Sequence, residues 1–226
     1  MTNTAPINAQ TYRLVPSHFP PIRLFEDLLD PAELDAAYAL EGLTNPRLRQ
    51  QAGDISLVAP LDRVTGQGTS AIMAAFTHLG EPSRFSDGRY GIYYAGLDLD
   101  TAVIESQHRR AHFLQATNEP AQVLTMRCYR CQVDAQLVDA RALHELHQPD
   151  NYSPAQAFGR RQRDAQQWGI LYRSVRNHGG ECVAILRPPA LVPPANQSIH
   201  LQFHWSGTEF SAVTQVREWG RYRHWS

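Results

Sequence analysis

Short apolar stretches, some of them alternating with polar residues, recur through most of the chain and predict β-strands. The last two alternate well and are separated by a turn near Gly207, so they predict a terminal hairpin. The predicted strands are residues 12–15, 90–95, 123–129, 132–138, 169–172, 182–186, 199–205 and 210–216.

Helix signals are scattered between these strands. Asp30 followed by Pro31 indicates an N-cap and a first helical position, so a helix is predicted from Pro31 to about residue 41. Because helices and strands do not alternate regularly and no linker or repeat is present, the pattern predicts a single α+β domain over residues 11–226, after a flexible segment 1–10. The other predicted helices are residues 69–78, a long helix beginning near Asp98 or Asp100, a short helix at 139–147, and residues 154–167.

Composition narrows the classes of function. The formal net charge is -1 and the pI is about 6.8, so no overall basic field favours direct binding to nucleic acid. All 21 basic residues are arginine, which excludes lysine nucleophiles and Schiff bases. The N-terminal residues lack the charged and apolar regions of a signal peptide, and no apolar run approaches the length of a membrane span. We therefore expect a cytoplasmic protein without membrane contact.

Several known motifs are incomplete or absent. Cys128 and Cys131 form a C-x-x-C pair, which could be a redox pair or half a zinc site, but ordinary reduced cysteines in a sheet are the favoured interpretation and no metal site is predicted. Ser174 is not part of a G-x-S-x-G elbow, which argues against a hydrolase triad. The chain also lacks the glycine-rich Rossmann and P-loop signatures.

The stretch 83–114 concentrates the candidate chemistry. Arg84 lies in a turn, Tyr94 at the end of a predicted strand, and Glu105 eleven residues later in the second turn of the next helix. A strand–turn–helix unit can direct a guanidinium, a phenol and a carboxylate toward one cleft, where they could hold a phosphorylated, cationic small molecule. The competing interpretation is a solvated arginine, a packing tyrosine opposite Tyr93, and a surface glutamate that pairs with Arg109 or the helix dipole.

Four short motifs together resemble the RES domain family, the toxin half of RES–Xre toxin–antitoxin pairs. The resemblance extends from about residue 12 to beyond residue 205, with one departure at Ser83, where many members have glycine. The family is similar in fold to ADP-ribosyltransferases, which implies a central mixed and split β-sheet. The motif positions are Arg84 in SRFSDG, Tyr94 in YYAG, Glu105 in TAVIES and Ser174 in YRSVRNHGGECVAILRP.

The resemblance implies that NAD+ is consumed as a substrate, without a metal or catalytic cofactor, by a glycohydrolase or phosphorylase that cleaves the nicotinamide–ribose bond. Arg84, Tyr94 and Glu105 are then the catalytic candidates: Arg84 for the pyrophosphate, Tyr94 as a wall beside the nicotinamide ribose, and Glu105 for the oxocarbenium-like charge. Ser174 and Arg13 are further NAD+-binding candidates, Arg13 for a phosphate. The resemblance also implies an Xre-type antitoxin as protein partner.

Other functions remain open at this stage. The same pocket would serve a protein ADP-ribosyltransferase, and a non-catalytic module could bind a nucleotide there without turnover. Nucleic-acid binding through the arginines at 109, 110, 160, 161 and 163 is disfavoured by the net charge. The acceptor of ADP-ribose, and whether the chain forms a homo-oligomer, are not determined by the sequence.

Overall fold

A computed structural model describes residues 3–17, 53–78, 80 and 82–217, in which seven strands form one sheet flanked by three α-helices. This is the predicted α+β class. The strands are β1 Thr4–Pro16, β2 Tyr93–Gly96, β3 Gln122–Asp139, β4 Gly169–Arg173, β5 Glu181–Ile185, β6 Leu191–Trp205 and β7 Phe210–Val216. The helices are α1 Thr69–Thr77, α2 Leu99–Ala116 and α3 Ser153–Asp164, with 3-10 turns at Ile55–Leu57, Pro60–Asp62, His144–His147 and Pro188–Ala190.

The sheet is mixed and split. Its order is β1-β2-β5-β4-β3-β6-β7, and an additional pairing of β1 with β3 closes the first five strands into a ring. One edge of β3 is shared: β4 runs parallel to it only at Val138 and Asp139, whereas β6 pairs antiparallel with most of its remaining length. The strands β4 and β6 therefore lie along different parts of the same edge of β3 and do not pair with each other, which splits the sheet.

Side-chain alternation on β2 separates two core regions. Tyr93 is fully buried in a cluster with residues of α1, β4 and β5, whereas Tyr94 packs against a second cluster that contains Phe85 and Tyr172. The two adjacent tyrosines thus point to opposite faces, as predicted from the period of a strand. The face that carries Tyr94 is the one on which the candidate site lies.

A third core region fixes α2 on the sheet. Leu114, near the end of the helix, packs with Met126 of β3 and Phe203 of β6. This contact anchors the far end of α2, while its first turns approach β1, β2 and β5. In the described residues, no helix has both the length and the apolar character that crossing a membrane requires.

Three sequence-based predictions were wrong. Residues 4–10, predicted to be flexible, belong to β1 and pair with β3. The strands predicted at 123–129 and 132–138 are one strand, β3, because β1 pairs with it without interruption from Met126 to Val138. The predicted helix 139–147 is reduced to the 3-10 turn His144–His147 because Asp139 still belongs to β3.

Other predicted elements are confirmed. They include α1, the long helix α2, the terminal hairpin of β6 and β7, and α3, which ends at Asp164. The predicted helix that begins at Pro31 lies outside the described residues.

Candidate active site

The junction between β2 and α2 sets the position of Glu105. A Cβ on Gly96 would lie 2.7 Å from the backbone nitrogen of Ala102, so only glycine allows the helix to begin this close to the strand end. Asp98 caps the helix: its Oδ1 accepts from the Thr101 backbone nitrogen and its Oδ2 from the Thr101 hydroxyl, both at 2.7 Å. The short connection therefore holds the second turn of α2, with Glu105, next to the end of β2.

The two carboxylate oxygens of Glu105 have different surroundings. Oε1 accepts hydrogen bonds from the Ser174 hydroxyl at 2.6 Å and from the Val175 backbone nitrogen at 3.2 Å. Within the described residues Oε2 has no hydrogen-bond partner, and Arg109, one turn later, forms no ion pair with it. The side chain is half-buried. One oxygen orients the carboxylate and the other is available to a ligand.

Ser174 belongs to a loop that is tied to α2. Its hydroxyl donates to Glu105 and accepts from the backbone nitrogens of Arg176 at 3.2 Å and Asn177 at 2.8 Å. The Asn177 side chain in turn donates to the Thr101 hydroxyl at 2.8 Å. A serine hydroxyl has one proton and two acceptor sites, so these contacts use its full capacity. The Ser174 hydroxyl thus orients the carboxylate of Glu105, and its proton is used in that contact.

Arg84 is buried. The residue is only 8% exposed, and its guanidinium stacks on Tyr152, 4.7 Å from the centre of the ring. Nη1 donates to the carbonyls of Leu146 and Gln148, both at 3.0 Å. These are its only hydrogen bonds to described residues, and no described carboxylate pairs with it, so Nε and Nη2 are available to an anionic ligand. The alternative of a solvated turn arginine is not what the structure shows.

The Tyr94 hydroxyl holds the turn that carries Arg84. It lies 2.9 Å from the Ser83 hydroxyl and accepts from the Phe85 backbone nitrogen at 2.9 Å, so it bonds the residues on both sides of Arg84. Burial raises the pKa of Tyr94, against the opposing effect of these two hydrogen bonds. The phenol therefore stays neutral near pH 7 and holds the two residues that flank Arg84. Ser83, the one departure from the motifs named above, takes part in this contact.

Arg13 reaches the same strand from β1. Nη1 donates to the Tyr94 carbonyl at 3.1 Å, and the guanidinium lies 4.9 Å from the ring centre of Tyr93. Nε is buried without a partner in the described residues. Burial lowers the pKa of Arg13 to about 10, and the charges of Arg109 and Arg110 contribute in the same direction. Arg13 is thus a half-buried cation that contacts the backbone of Tyr94 and the ring of Tyr93.

Tyr172, near the end of β4, connects the candidates that the sequence grouped: Tyr94 packs against the same core cluster, and Ser174, which holds Glu105, follows two residues later. Burial raises the pKa of Tyr172, Glu105 and Tyr94 raise it further, and Arg84 lowers it. Its ring also lies 5.0 Å from that of Phe85, edge to face. No hydrogen bond or ion pair among the described residues joins Arg84 to Glu105. In the described residues, Arg84 and Glu105 thus do not neutralise each other by direct pairing.

Sequence reasoning missed several residues of this region. Tyr152 stacks on Arg84, and no local motif indicates that role. Arg176 donates from Nη2 to the Pro149 carbonyl at 2.7 Å, and its Nε is buried without a partner in the described residues. Its place in the SVRNHGGEC motif, two residues after Ser174, was the available signal. Both residues join the segment 146–152 to the site.

The cysteine pair lies away from this chemistry. Cys128 and Cys131 are both buried on β3, and burial raises the pKa of Cys131 to about 12, so its thiol remains protonated near neutral pH. In the described part of the chain, no group of three histidine, cysteine or acidic residues is placed to hold a metal ion.

The chain is similar to known proteins over most of its length. A family model described as the RES domain matches residues 60–206, which include four of the five candidate residues. An uncharacterized protein of Sinorhizobium fredii (strain NBRC 101917 / NGR234), y4oC, is 30% identical over 211 residues, which cover 92% of this chain and 87% of that protein. Among solved structures, the M. tuberculosis MbcT–MbcA toxin–antitoxin complex matches with a TM-score of 0.42 and 14% identity, covering 94% of this chain and 86% of the matched chain.

Proposed function

Because this chain belongs to the RES domain family, we propose that it is an NAD+-consuming toxin that cleaves the bond between nicotinamide and ribose, as a glycohydrolase or a phosphorylase. The observation that supports this most directly is the state of Glu105. Its carboxylate is oriented through Oε1 and keeps Oε2 available, and Ser174, which holds it, lies two residues after Tyr172, whose ring packs on Phe85 next to Arg84. That arrangement suits a substrate that is cationic at the reacting bond and anionic at its pyrophosphate.

The charges of the site fit the reaction. When the bond between the ribose anomeric carbon and the pyridinium nitrogen breaks, its electron pair goes to the nitrogen, and nicotinamide leaves as a neutral molecule. Positive charge then develops on the ribose, and a nearby carboxylate at Glu105 stabilises it more than the ground state. Because Ser174 and the Val175 backbone nitrogen already hold the carboxylate, little reorganisation is needed as that charge forms.

In this proposal the two arginines bind the pyrophosphate of NAD+. Nε and Nη2 of Arg84 form a planar donor pair that suits a pyrophosphate oxygen, and burial strengthens such a contact. Arg13 adds a second cation beside Tyr94 for the same anionic group. The role of Tyr94 as a wall beside the nicotinamide ribose remains part of the proposal. No step in this scheme requires a metal or a further cofactor.

Product analysis tests the proposal and identifies the acceptor. The purified protein is incubated with NAD+, released nicotinamide is quantified, and the ADP-ribose product is analysed by mass. Free ADP-ribose indicates water as the acceptor, and ADP-ribose phosphate formed only with inorganic phosphate indicates a phosphorylase. If the folded protein releases no nicotinamide under any of these conditions, the proposal is wrong.

A protein ADP-ribosyltransferase is the second candidate, and the half-exposed state of Glu105 favours keeping it. An acceptor side chain could approach the ribose beside Oε2, where the carboxylate could act as its general base. Incubation with NAD+ labelled in the adenylate part separates the two activities. Label that becomes covalently attached to a protein supports the transferase, whereas label recovered only in small molecules supports the glycohydrolase or phosphorylase.

We also propose an Xre-type antitoxin that covers or enters this site, on the basis of the family alone. Free activity would deplete the NAD+ of the host, so a partner that blocks the site is required if the proposed reaction is correct. Co-expression with the neighbouring open reading frame should abolish growth inhibition and nicotinamide release. Undiminished toxicity in the presence of the co-expressed partner would contradict this part of the proposal.

Replacing Ser174 with alanine should lower kcat by about 10- to 100-fold and change KM for NAD+ little. The substitution removes a hydroxyl that orients the carboxylate, and hydrogen bonds to charged groups are worth about 1.5–3 kcal/mol. Nicotinamide release measured over a range of NAD+ concentrations gives both constants.

The matched control for this substitution is a variant that already lacks the carboxylate. If Ser174 acts only through Glu105, adding Ser174→Ala to Glu105→Gln should reduce activity little further. A full additional loss in the double variant would assign Ser174 a separate contact with the substrate.

Replacing Tyr94 with phenylalanine should raise KM for NAD+ by about 5- to 20-fold and destabilise the fold by about 1–2 kcal/mol. The ring is kept, but the Phe85 backbone nitrogen and the Ser83 hydroxyl lose the partner that holds the turn of Arg84. Urea unfolding and steady-state kinetics measure the two effects. An unchanged KM would mean that the hydroxyl does not position Arg84.

A further inference from the structure

His147 lies in the middle of the segment that holds Arg84. The residues on either side of it, Leu146 and Gln148, provide the two carbonyls that accept from Arg84 Nη1, both at 3.0 Å. These carbonyls belong to the 3-10 turn His144–His147 and to the residue that follows it. Whatever fixes this turn therefore also fixes the guanidinium.

The imidazole of His147 connects the turn to the end of β4. Nδ1 lies 2.9 Å from the Leu143 carbonyl, and Nε2 lies 3.1 Å from the Arg173 backbone nitrogen. A carbonyl can only accept and a backbone N–H can only donate, so Nδ1 carries the proton and Nε2 is the acceptor. These two contacts can coexist only in the neutral ring.

We infer that His147 is a positioning residue for Arg84, which locks the turn His144–His147 against β4 while its imidazole is neutral and releases it on protonation. The inference rests on the proposed function, because the anion that Arg84 would bind is the pyrophosphate of NAD+. The residue touches neither the reacting bond nor any described catalytic group, so its effect on catalysis is indirect.

The charges around His147 favour the neutral ring. Arg84, Arg173 and His144 face it, and the ring of Tyr172 lies 6.4 Å away between centres. Burial lowers the pKa of His147, its contact with the Leu143 carbonyl opposes this, and the two arginines and His144 lower the pKa further. A proton on Nε2 would face the Arg173 N–H, so the hydrogen bond would be lost and a cation would form beside two guanidiniums.

The direction of the pH effect follows from the lowered pKa. The folded protein binds the proton less readily than the unfolded chain, whose histidine pKa is near the usual 6.5. The stabilisation by the neutral ring is therefore complete above that value. It is lost as the pH falls from there through the lower pKa of the folded state. The hydrogen bond from the Arg173 backbone nitrogen to His147 breaks as the folded ring takes up its proton.

Kinetics over pH 5–8 test this inference with His147→Gln, because a glutamine amide can donate and accept at this position but does not titrate. In the wild type, acidification should raise KM for NAD+ about fivefold with a smaller change in kcat, since Arg84 contacts the substrate away from the reacting bond. The glutamine variant should lack this rise in KM. The matched control, His144→Gln at an exposed position, should retain the rise, with its midpoint moved to higher pH because a group that lowers the pKa of His147 is removed.

Amide exchange provides a readout that does not depend on catalysis or on any variant. In the wild-type protein, protection of the Arg173 N–H, corrected for intrinsic exchange, should fall with the same midpoint as the NMR titration of the His147 ring. If that protection stays constant through the titration, the inference is wrong. Identical KM profiles in an active wild type and in His147→Gln would also overturn it. Absence of nicotinamide release at every pH would overturn the proposed function instead. Amide exchange would still decide whether protonation of His147 breaks its contact with β4.

Discussion

Replacing Glu105 with glutamine should reduce kcat for nicotinamide release by about 10³-fold while changing KM for NAD+ little. Glutamine keeps an oxygen that can accept from Ser174 and from the Val175 backbone nitrogen, so the loop contacts are retained. It replaces the charged carboxylate by a neutral amide at the point where positive charge would develop. Removing a preorganised group of this kind typically costs about 10²–10³ in kcat. The loss falls on kcat because the interaction forms mainly in the transition state.

Steady-state kinetics of nicotinamide release, with thermal unfolding to verify the fold, check this prediction. The matched control is Asp100→Asn, which removes an exposed carboxylate from the first turn of the same helix, α2. The control should retain nearly wild-type kcat. If Glu105→Gln behaves like the control, the carboxylate of Glu105 is not the group that stabilises the transition state.

Replacing Arg84 with lysine should raise KM for NAD+ by about 10- to 100-fold. A lysine keeps the positive charge but cannot provide the planar pair of donors, nor can it reach two carbonyls and an anion in the same geometry. Replacing Arg84 with alanine should add a loss of about 2–3 kcal/mol in the free energy of unfolding. In that variant the Leu146 and Gln148 carbonyls lose their donor, and the stacking on Tyr152 is removed.

Kinetics and urea unfolding distinguish the two effects of Arg84. Arg89→Ala is the control, because Arg89 lies five residues later with its side chain 70% exposed and paired only with Asp87 in the described residues. It should leave both KM and stability unchanged. A folded Arg84→Lys protein with wild-type KM would show that another group binds the pyrophosphate, and Arg13 would become the leading candidate.

Two hydroxyl groups in this site serve two charged groups. The Ser174 hydroxyl orients Glu105, and the Tyr94 hydroxyl holds the residues that flank Arg84. The division explains why substitutions at Ser174 and at Tyr94 are expected to affect different constants, kcat for the first and KM for the second.

Local signals in the sequence were sufficient for elements whose hydrogen bonds lie within a few residues. Asp98 and Thr101 are three residues apart, and their capping contact fixes the start of α2 as predicted. The opposite orientation of Tyr93 and Tyr94 also follows from strand geometry alone. By contrast, residues 4–10 become a strand only because β3 provides an edge more than 120 positions away in the chain.

The candidate site residues came from short motifs and their spacing. In the structure Tyr94 bonds the two residues that flank Arg84, Glu105 contacts Ser174, and Arg13 contacts the carbonyl of Tyr94. What each residue does depended on partners far away in sequence. Glu105 meets Ser174 across 69 positions, and Arg84 meets the carbonyls of Leu146 and Gln148 across 62 and 64.

The sequence alone thus determined which residue types carry the chemistry, because helix caps, strand alternation and motif spacing are properties of neighbouring residues. Only the tertiary structure decided that Arg84 is buried against the segment 146–152, that the Tyr94 hydroxyl bonds the residues on both sides of it, and that one oxygen of Glu105 has no partner in the described residues. Those features depend on side-chain burial and on hydrogen bonds between distant segments. They exist only once the sheet has closed and its loops have come together.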